Sequence, residues 1–197
     1  MRHMIVMSKQ RDKQIIELVK NGDVTAFSEL INAYQQMAFT LSNSILKNRE
    51  EAQEATQDSF VKVFQKLNEF RGDSAFSSWL YKIVYHTSLS KLRLRKKSGL
   101  SLDENIIREY DVINDYQEND ILENHDKQKM LKLAMSELKD DDAAIVLLFY
   151  YKELSIDEIT EITGLSQSNV KIKLHRSRKQ LQDRLLQLMK NELSSLL

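Results

Sequence analysis

The chain has 197 residues, with 29 basic and 29 acidic side chains, 42% hydrophobic residues, four glycines, and neither cysteine nor proline. This gives enough apolar material for soluble cores and excludes a disulfide framework or a thiolate metal site. No run approaches the ~20 apolar residues of a membrane span, and the N-terminal MRHMIVMSKQ lacks a signal-peptide hydrophobic region, so the expected location is cytoplasmic.

With proline absent, glycine rare and little alternation of apolar and polar residues, the expected fold class is all-α. A first short helix is predicted over 13–20, with Ile15, Leu18 and Val19 inward. Asn21-Gly22 ends it and Asp23 is a ready N-cap for the next helix. A stripe of Ala26, Phe27, Leu30, Ile31 and Tyr34 continues through Phe39, Leu41 and Ile45 to a break at Lys47-Asn48-Arg49. These elements read as scaffold.

Over 49–67, Ala52, Ala55, Ser59, Phe60, Val63, Phe64 and Leu67 share one helical face. Glu54, Gln57, Asp58 and Val61 recur at i, i+3, i+4 and i+7 on another. Two carboxylates one turn apart repel mildly unless a cation meets them. This stripe is therefore either an ordinary solvated face or a docking face for a basic partner protein. Carboxylate catalysis has no support, because neither a metal-ligand set nor a nucleophile accompanies the pair.

The stretch 70–97, FRGDSAFSSWLYKIVYHTSLSKLRLRKK, opens with a turn in which Gly72 permits an unusual backbone angle and Asp73 or Ser74 can cap the following helix. Phe76, Leu80, Ile83, Val84 and Thr87 keep helical spacing, and the helix runs into Lys91, Arg93, Arg95, Lys96 and Lys97. Trp79, Tyr81, Tyr85 and His86 lie nearby. Cations beside flat side chains suit a nucleic-acid strand, with phosphates on the charges and bases on the rings. A core helix ending in solvated charge is the alternative.

The zero net charge conceals segregation. Between 102 and 126 the acids Asp103, Glu104, Glu109, Asp111, Asp115, Glu118, Asp120, Glu123 and Asp126 face a single base, Arg108, which reads as an acidic, flexible linker over 98–126. From 127 helical patterning returns, with one helix over 130–138. Asp140-Asp141-Asp142 then suits a helix N-terminus, and the run AAIVLLFYY is apolar almost all round and should be buried. Ser155 and Glu158 form a capping box, Gly164 makes a tight turn, and Ser166 caps a last helix with Val170, Leu174, Ser177, Leu181 and Leu185 inward. Ser168, Lys171, Ile172, His175, Arg176 and Lys179 fall on its outer surface. This is a helix-turn-helix with its recognition helix identified, with a plain helical hairpin as the alternative.

The segments GDVTAFSELINAY, EAQEATQDSFVKVFQKL and FRGDSAFSSWLYKIVYHT resemble conserved region 2 of bacterial RNA polymerase sigma factors. LSIDEITEITGLSQSNVKIKLHRSRKQL resembles their region 4. Both in this order, in a short chain with no domain between, are similar to the extracytoplasmic-function (ECF) group. The resemblance implies region 2 over 1–97, a linker over 98–126 and region 4 over 127–197.

It also implies roles for particular residues. Glu54, Gln57 and Asp58 would grip the clamp helices of the polymerase β′ subunit. Arg71, Asp73, Ser74, Phe76 and His86 would capture an unstacked base of the −10 element, with Lys91, Arg93, Arg95 and Lys96 on adjacent phosphates. His86 stands where the family usually has Asn, so the preferred base would differ. Ser168, Lys171, Ile172, His175 and Arg176 would meet the −35 element in the major groove, while Lys173, Arg178 and Lys179 suit the backbone. The apolar run at 143–151 would meet the β-subunit flap, and an anti-sigma factor is an expected partner. No cofactor, metal or bond chemistry is implied, so the expectation is a non-catalytic specificity subunit. A free-standing regulator would explain the helix-turn-helix but not the region 2 pattern. A metal enzyme is disfavoured because His3, His86, His125 and His175 have no ligand spacing.

Overall fold

The computed structural model describes residues 2–98, 123–139 and 141–195, and every regular element among them is helical. Helix α1 spans Arg2–Lys20, starting earlier than the apolar spacing predicts. It buries Asp12, Ile15, Ile16 and Val19, leaving Leu18 half exposed where an inward position was expected. A 3₁₀ turn, Val24–Ala26, follows, and the predicted cap is present: Asp23 accepts hydrogen bonds from the backbone N–H groups of Thr25 and Ala26. The Thr25 hydroxyl, which also donates to Asp23, and these backbone bonds together hold the Asp23 carboxyl below its ordinary pKa.

Helix α2, Phe27–Leu46, ends at Lys47, whose φ of 50° reverses the chain in the left-handed region. Asn48 then caps α3, Arg49–Lys66, by accepting from the Glu51 N–H at 3.0 Å. Helix α4, Phe76–Lys97, completes a three-helix core with α2 and α3. Its N-cap is Ala75, without a side-chain cap, so neither Asp73 nor Ser74 does the expected capping. Leu30, Leu41, Ile45, Val63, Leu80 and Val84 are fully buried where the three helices meet.

The spacing did not foretell a hydroxyl cluster at that crossing. Ser42, Ser59, Thr56 and Ser88 are buried; Ser88 donates to the Val84 carbonyl and lies 3.1 Å from the Ser42 oxygen. Thr56 and Ser59 likewise donate to the carbonyls of Ala52 and Ala55. Small side chains let the helix backbones approach, and back-bonding satisfies the hydroxyls without needing water.

The C-terminal unit comprises α5 (Glu123–Ser136), α6 (Asp142–Val146), a π-helical turn (Leu147–Tyr151), α7 (Ile156–Thr163) and α8 (Gln167–Ser195). Residues 143–148 are buried as expected, whereas Tyr150 reaches solvent at the end of the run. The Ser155–Glu158 capping box is complete, and Gly164 adopts φ 75° between α7 and α8. Ser166 accepts from the Asn169 N–H at the start of α8.

The two units do not stand apart. Helix α7 packs on α4 and α6 on α2, so one apolar core runs through both. The predicted acidic linker falls on 98–126, and its residues 99–122 lie outside the described ones.

Candidate polymerase and promoter interfaces

Three surfaces carry the predicted site residues. On α3, burial of Ala52, Ala55, Ser59 and Val63 turns Glu54, Gln57, Asp58 and Val61 outward, all exposed. Phe64 is also partly exposed, braced edge-on against Phe27 at 5.1 Å between ring centroids. A cation meets this stripe within the chain: Lys91 of α4 pairs with Glu54.

The second surface is the loop leading into α4. Arg71, Asp73 and Ser74 are exposed, and the long 3.7 Å pair between Arg71 and Asp73 lies in solvent, where it is worth little. The loop's ends are fixed. Lys20 donates to the Phe70 carbonyl at 2.8 Å, and Phe70, Phe76, Trp79 and Tyr34 form a ring cluster with centroids 5.1–6.0 Å apart. Phe76 is buried in that cluster as its pedestal, while His86 lies nearly three turns along α4 on the exposed side. Burial against α7 and the nearby Lys82 and Arg93 cations lower the His86 pKa, with the Ile162 backbone pulling the other way, so the ring is neutral at pH 7.

The basic end of α4 divides. Arg93 and Lys96 are exposed, but Arg95 donates to the Leu46 carbonyl at 3.0 Å and to Glu51 at 2.7 Å, with its side chain only 12% exposed. Arg95 therefore ties α4 to α2 and α3. Tyr81 and Tyr85, grouped by sequence with the flat side chains beside the cations, are both buried.

The third surface is α8. Val170, Leu174 and Ser177 are buried, which turns Ser168, Lys171, Ile172, His175, Arg176, Arg178 and Lys179 to solvent. Ile172 is 61% exposed, an apolar side chain presented among cations. Lys173 differs. It donates to Asp141 at 2.9 Å and Asp142 at 2.6 Å, and Arg176 also binds Asp142, whose side chain is 2% exposed. Burial would push the Asp141 carboxyl up, but hydrogen bonds from Lys173 and Tyr85 outweigh it and hold the pKa below its ordinary value. Burial likewise works against the Lys173 ammonium, and the two carboxylates reverse that effect. Sequence reasoning took the aspartates for helix N-terminal acids; no local spacing signals that one is buried under two cations.

Among the described residues no group of His, Cys, Asp and Glu could hold a metal ion, and no helix is long and apolar enough to cross a membrane.

Residues 30–98 match the family Sigma-70 region 2, and residues 128–181 match Sigma-70, region 4. The ECF RNA polymerase sigma factor SigW of Bacillus subtilis is 30% identical over 193 residues, covering 92% of this chain and 98% of that protein. The chain belongs to the ECF sigma-factor family. The RNA polymerase sigma-H factor of Pseudomonas aeruginosa is 27% identical over 188 residues, covering 92% and 97% of the two chains. Among solved structures, the sigma factor RpoE in complex with the anti-sigma factor NepR from Bartonella quintana superposes with a TM-score of 0.64 at 20% identity, over 81% of this chain and 96% of that one. CnrH in complex with the cytosolic domain of CnrY gives 0.60 at 19% identity, over 89% and 97%. These two share the fold. As an ECF sigma factor the chain directs RNA polymerase to promoters, a specificity role.

Proposed function

We propose that this sigma factor docks on the β′ clamp helices of core RNA polymerase through Glu54, Gln57 and Asp58, reads the −35 element with α8, and holds a flipped −10 base at the loop before α4. The observation that carries the reading is the joint presence of an outward acidic-amide stripe on α3 and an outward cationic face on α8, in one chain with both sigma regions in order. Val61 and Phe64 add exposed apolar area beside the acids, which suits a protein partner.

At the −35 element, Lys171, His175 and Arg176 supply donors for base edges, and Ile172 suits a thymine methyl group. Arg178 and Lys179 lie about one turn beyond His175 and suit phosphates. At the −10 element, unstacking costs a few kcal/mol per step, which polymerase and upstream contacts offset. Arg71, Asp73, Ser74 and the neutral His86 ring supply the edge contacts for the extruded base, Phe76 supports the loop from below, and Arg93 and Lys96 suit the neighbouring phosphates. Lys91 and Arg95 contribute to phosphates only if they leave Glu54 and Glu51. The domain limits 1–97, 98–126 and 127–197 follow from this division of labour. Contact with the β flap falls to the Tyr150 end of 143–151, since the rest is core. An anti-sigma factor is the proposed regulator, and the cytoplasm the proposed compartment.

The test is reconstitution with core polymerase and transcription from fragments of the source genome, with starts mapped. Discrete new starts sharing two spaced motifs are expected. Duplex binding without any binding to core polymerase would overturn the reading in favour of a free-standing regulator.

A further inference from the structure

The cations on the outward face of α8 are not held alike. Among the described residues, Lys171, His175 and Lys179 make no hydrogen bond or ion pair, so only their own rotamer preferences place them. Arg176 is tethered. Its Nη2 group donates to Oδ2 of Asp142 at 2.5 Å, and that carboxylate is buried where α6 packs on α8. The other oxygen, Oδ1, accepts from Lys173 at 2.6 Å. Lys173 is largely covered and is held a second time by Asp141, so it compensates the buried charge from within the fold. The Arg176 side chain is half exposed, which leaves the rest of its fork turned to solvent.

One buried carboxylate thus joins two different cations, a strut inside and a reader at the surface. A guanidinium carries five N–H donors in one rigid plane, and spending one on Asp142 leaves others for a second partner. Reading guanine takes two donors at once, on O6 and N7, with the guanidinium in the plane of the base. An arginine that swings freely loses rotamer entropy on reaching that arrangement, and its other rotamers reach phosphates instead. A tether to a buried oxygen limits both effects. Local spacing gives no sign of it, because Asp142 is the first residue of α6, 34 positions before Arg176.

We propose that Asp142 is a positioning residue for promoter readout, setting the plane of the Arg176 guanidinium so that α8 reads a guanine in the −35 element. This rests on the α8 assignment above and names the base and the group behind the contact. Asp142 itself touches no DNA.

The test selects short duplexes with a randomised central stretch, using the full chain and its variants, and sequences the bound fraction. The native chain should enrich a motif containing a guanine. Arg176→Lys keeps the charge but not the fork, and should relax that position by roughly 5-fold or more. Asp142→Asn should relax the same position by about 3–10-fold, with preferences elsewhere in the motif retained. In the double variant the loss there should not exceed that of Arg176→Lys alone, since the carboxylate acts only through the fork. A merely structural Asp142 predicts weaker binding to all duplexes alike, and that result would overturn the proposal. Lys173→Met, which disturbs the other oxygen, should lower stability without relaxing the guanine; equal relaxation would also overturn it. No motif with the native chain, or none that Arg176→Lys relaxes, would bring down the α8 assignment and the proposal with it. If Asp142→Asn does not fold, nitrogen-15 NMR of the native chain still decides. Slowed rotation about Cζ–Nη should resolve the Arg176 Nη signals, and fully averaged signals would refute the tether.

Discussion

Replacing Lys173 by Met separates the phosphate contact that the family resemblance implies from the structural role its two carboxylate partners give it. If Lys173 is a DNA contact, its loss weakens promoter binding and leaves the fold intact. If it is a strut, the fold suffers first. Its ammonium lies 2.9 Å from Asp141 and 2.6 Å from Asp142, with the Asp142 side chain 2% exposed. Removing one partner of a fully buried pair costs about 3–5 kcal/mol, because the remaining charge stays uncompensated. Here Arg176 still holds Asp142 and the Lys173 side chain is 23% exposed, so the expected loss is smaller, about 2–3 kcal/mol. Met retains most of the alkyl packing, which isolates the charge.

Urea unfolding followed by far-ultraviolet circular dichroism measures this loss. Fluorescence excited at 295 nm reports on Trp79 alone, inside the N-terminal aromatic cluster, and shows whether the second unit unfolds first. Asp141 has a depressed pKa, so its share of the stability is present above its unfolded value of 3.8 and is lost as pH falls through the lower folded value. Lys173 has a raised one, so its share is complete below 10.5 and is lost as pH rises through the higher folded value. The difference between native and Lys173→Met proteins should therefore be flat from about pH 5 to pH 10. A loss below about 0.5 kcal/mol, with the salt dependence of duplex binding reduced by about one charge, would refute the strut and restore the DNA contact.

Ser88→Leu should destabilise by about 1–3 kcal/mol, read as a lower urea midpoint at unchanged slope, because the α2–α3–α4 crossing has no room for a longer side chain and Ser42 loses its neighbour. Gly164→Ala should cost about 1–2 kcal/mol through the backbone alone: φ is +75°, and an added Cβ would meet nothing within 4 Å. His86→Ala is expected to impair promoter opening, read by permanganate footprinting, without changing affinity for core polymerase; equal loss of both would make His86 structural. His86→Gln should also flatten the stability profile on acidification. The folded pKa is depressed, so the native chain loses stability as pH falls from 6.5 through the lower folded value, and Gln cannot take up that proton.

What the sequence made legible was local. The Asp23 cap, the Ser155–Glu158 box, the Gly164 turn and the outward face of α8 each depend on residues within a few positions of one another, and each forms as its spacing implies. Where the structure adds to or departs from those readings, the origin is pairing between distant segments. The spacing puts Leu18 inward, but in α1 Ile16 is buried and Leu18 is half exposed. Tyr85 and Arg95 looked like members of a nucleic-acid surface because neighbours in sequence were basic or aromatic. Their partners are Asp141, 56 residues on, and Glu51, 44 residues back. Asp142 carries the same lesson: a run of acids before an apolar helix suits the helix dipole, yet burial and two cations 31 and 34 residues away decide its role.

The loop over 71–75 is a short span between two fixed posts, Phe70 tethered through its carbonyl and Phe76 sunk in the ring cluster. Ordering a free backbone residue costs roughly 1–2 kcal/mol, so a long mobile loop would surrender much of its binding energy to its own immobilisation. Here that entropy is already lost when the chain folds. For the strand contacts proposed at Arg71, Asp73 and Ser74, the backbone is already ordered and only the exposed side chains are left to fix, so residence time would depend on the contacts themselves.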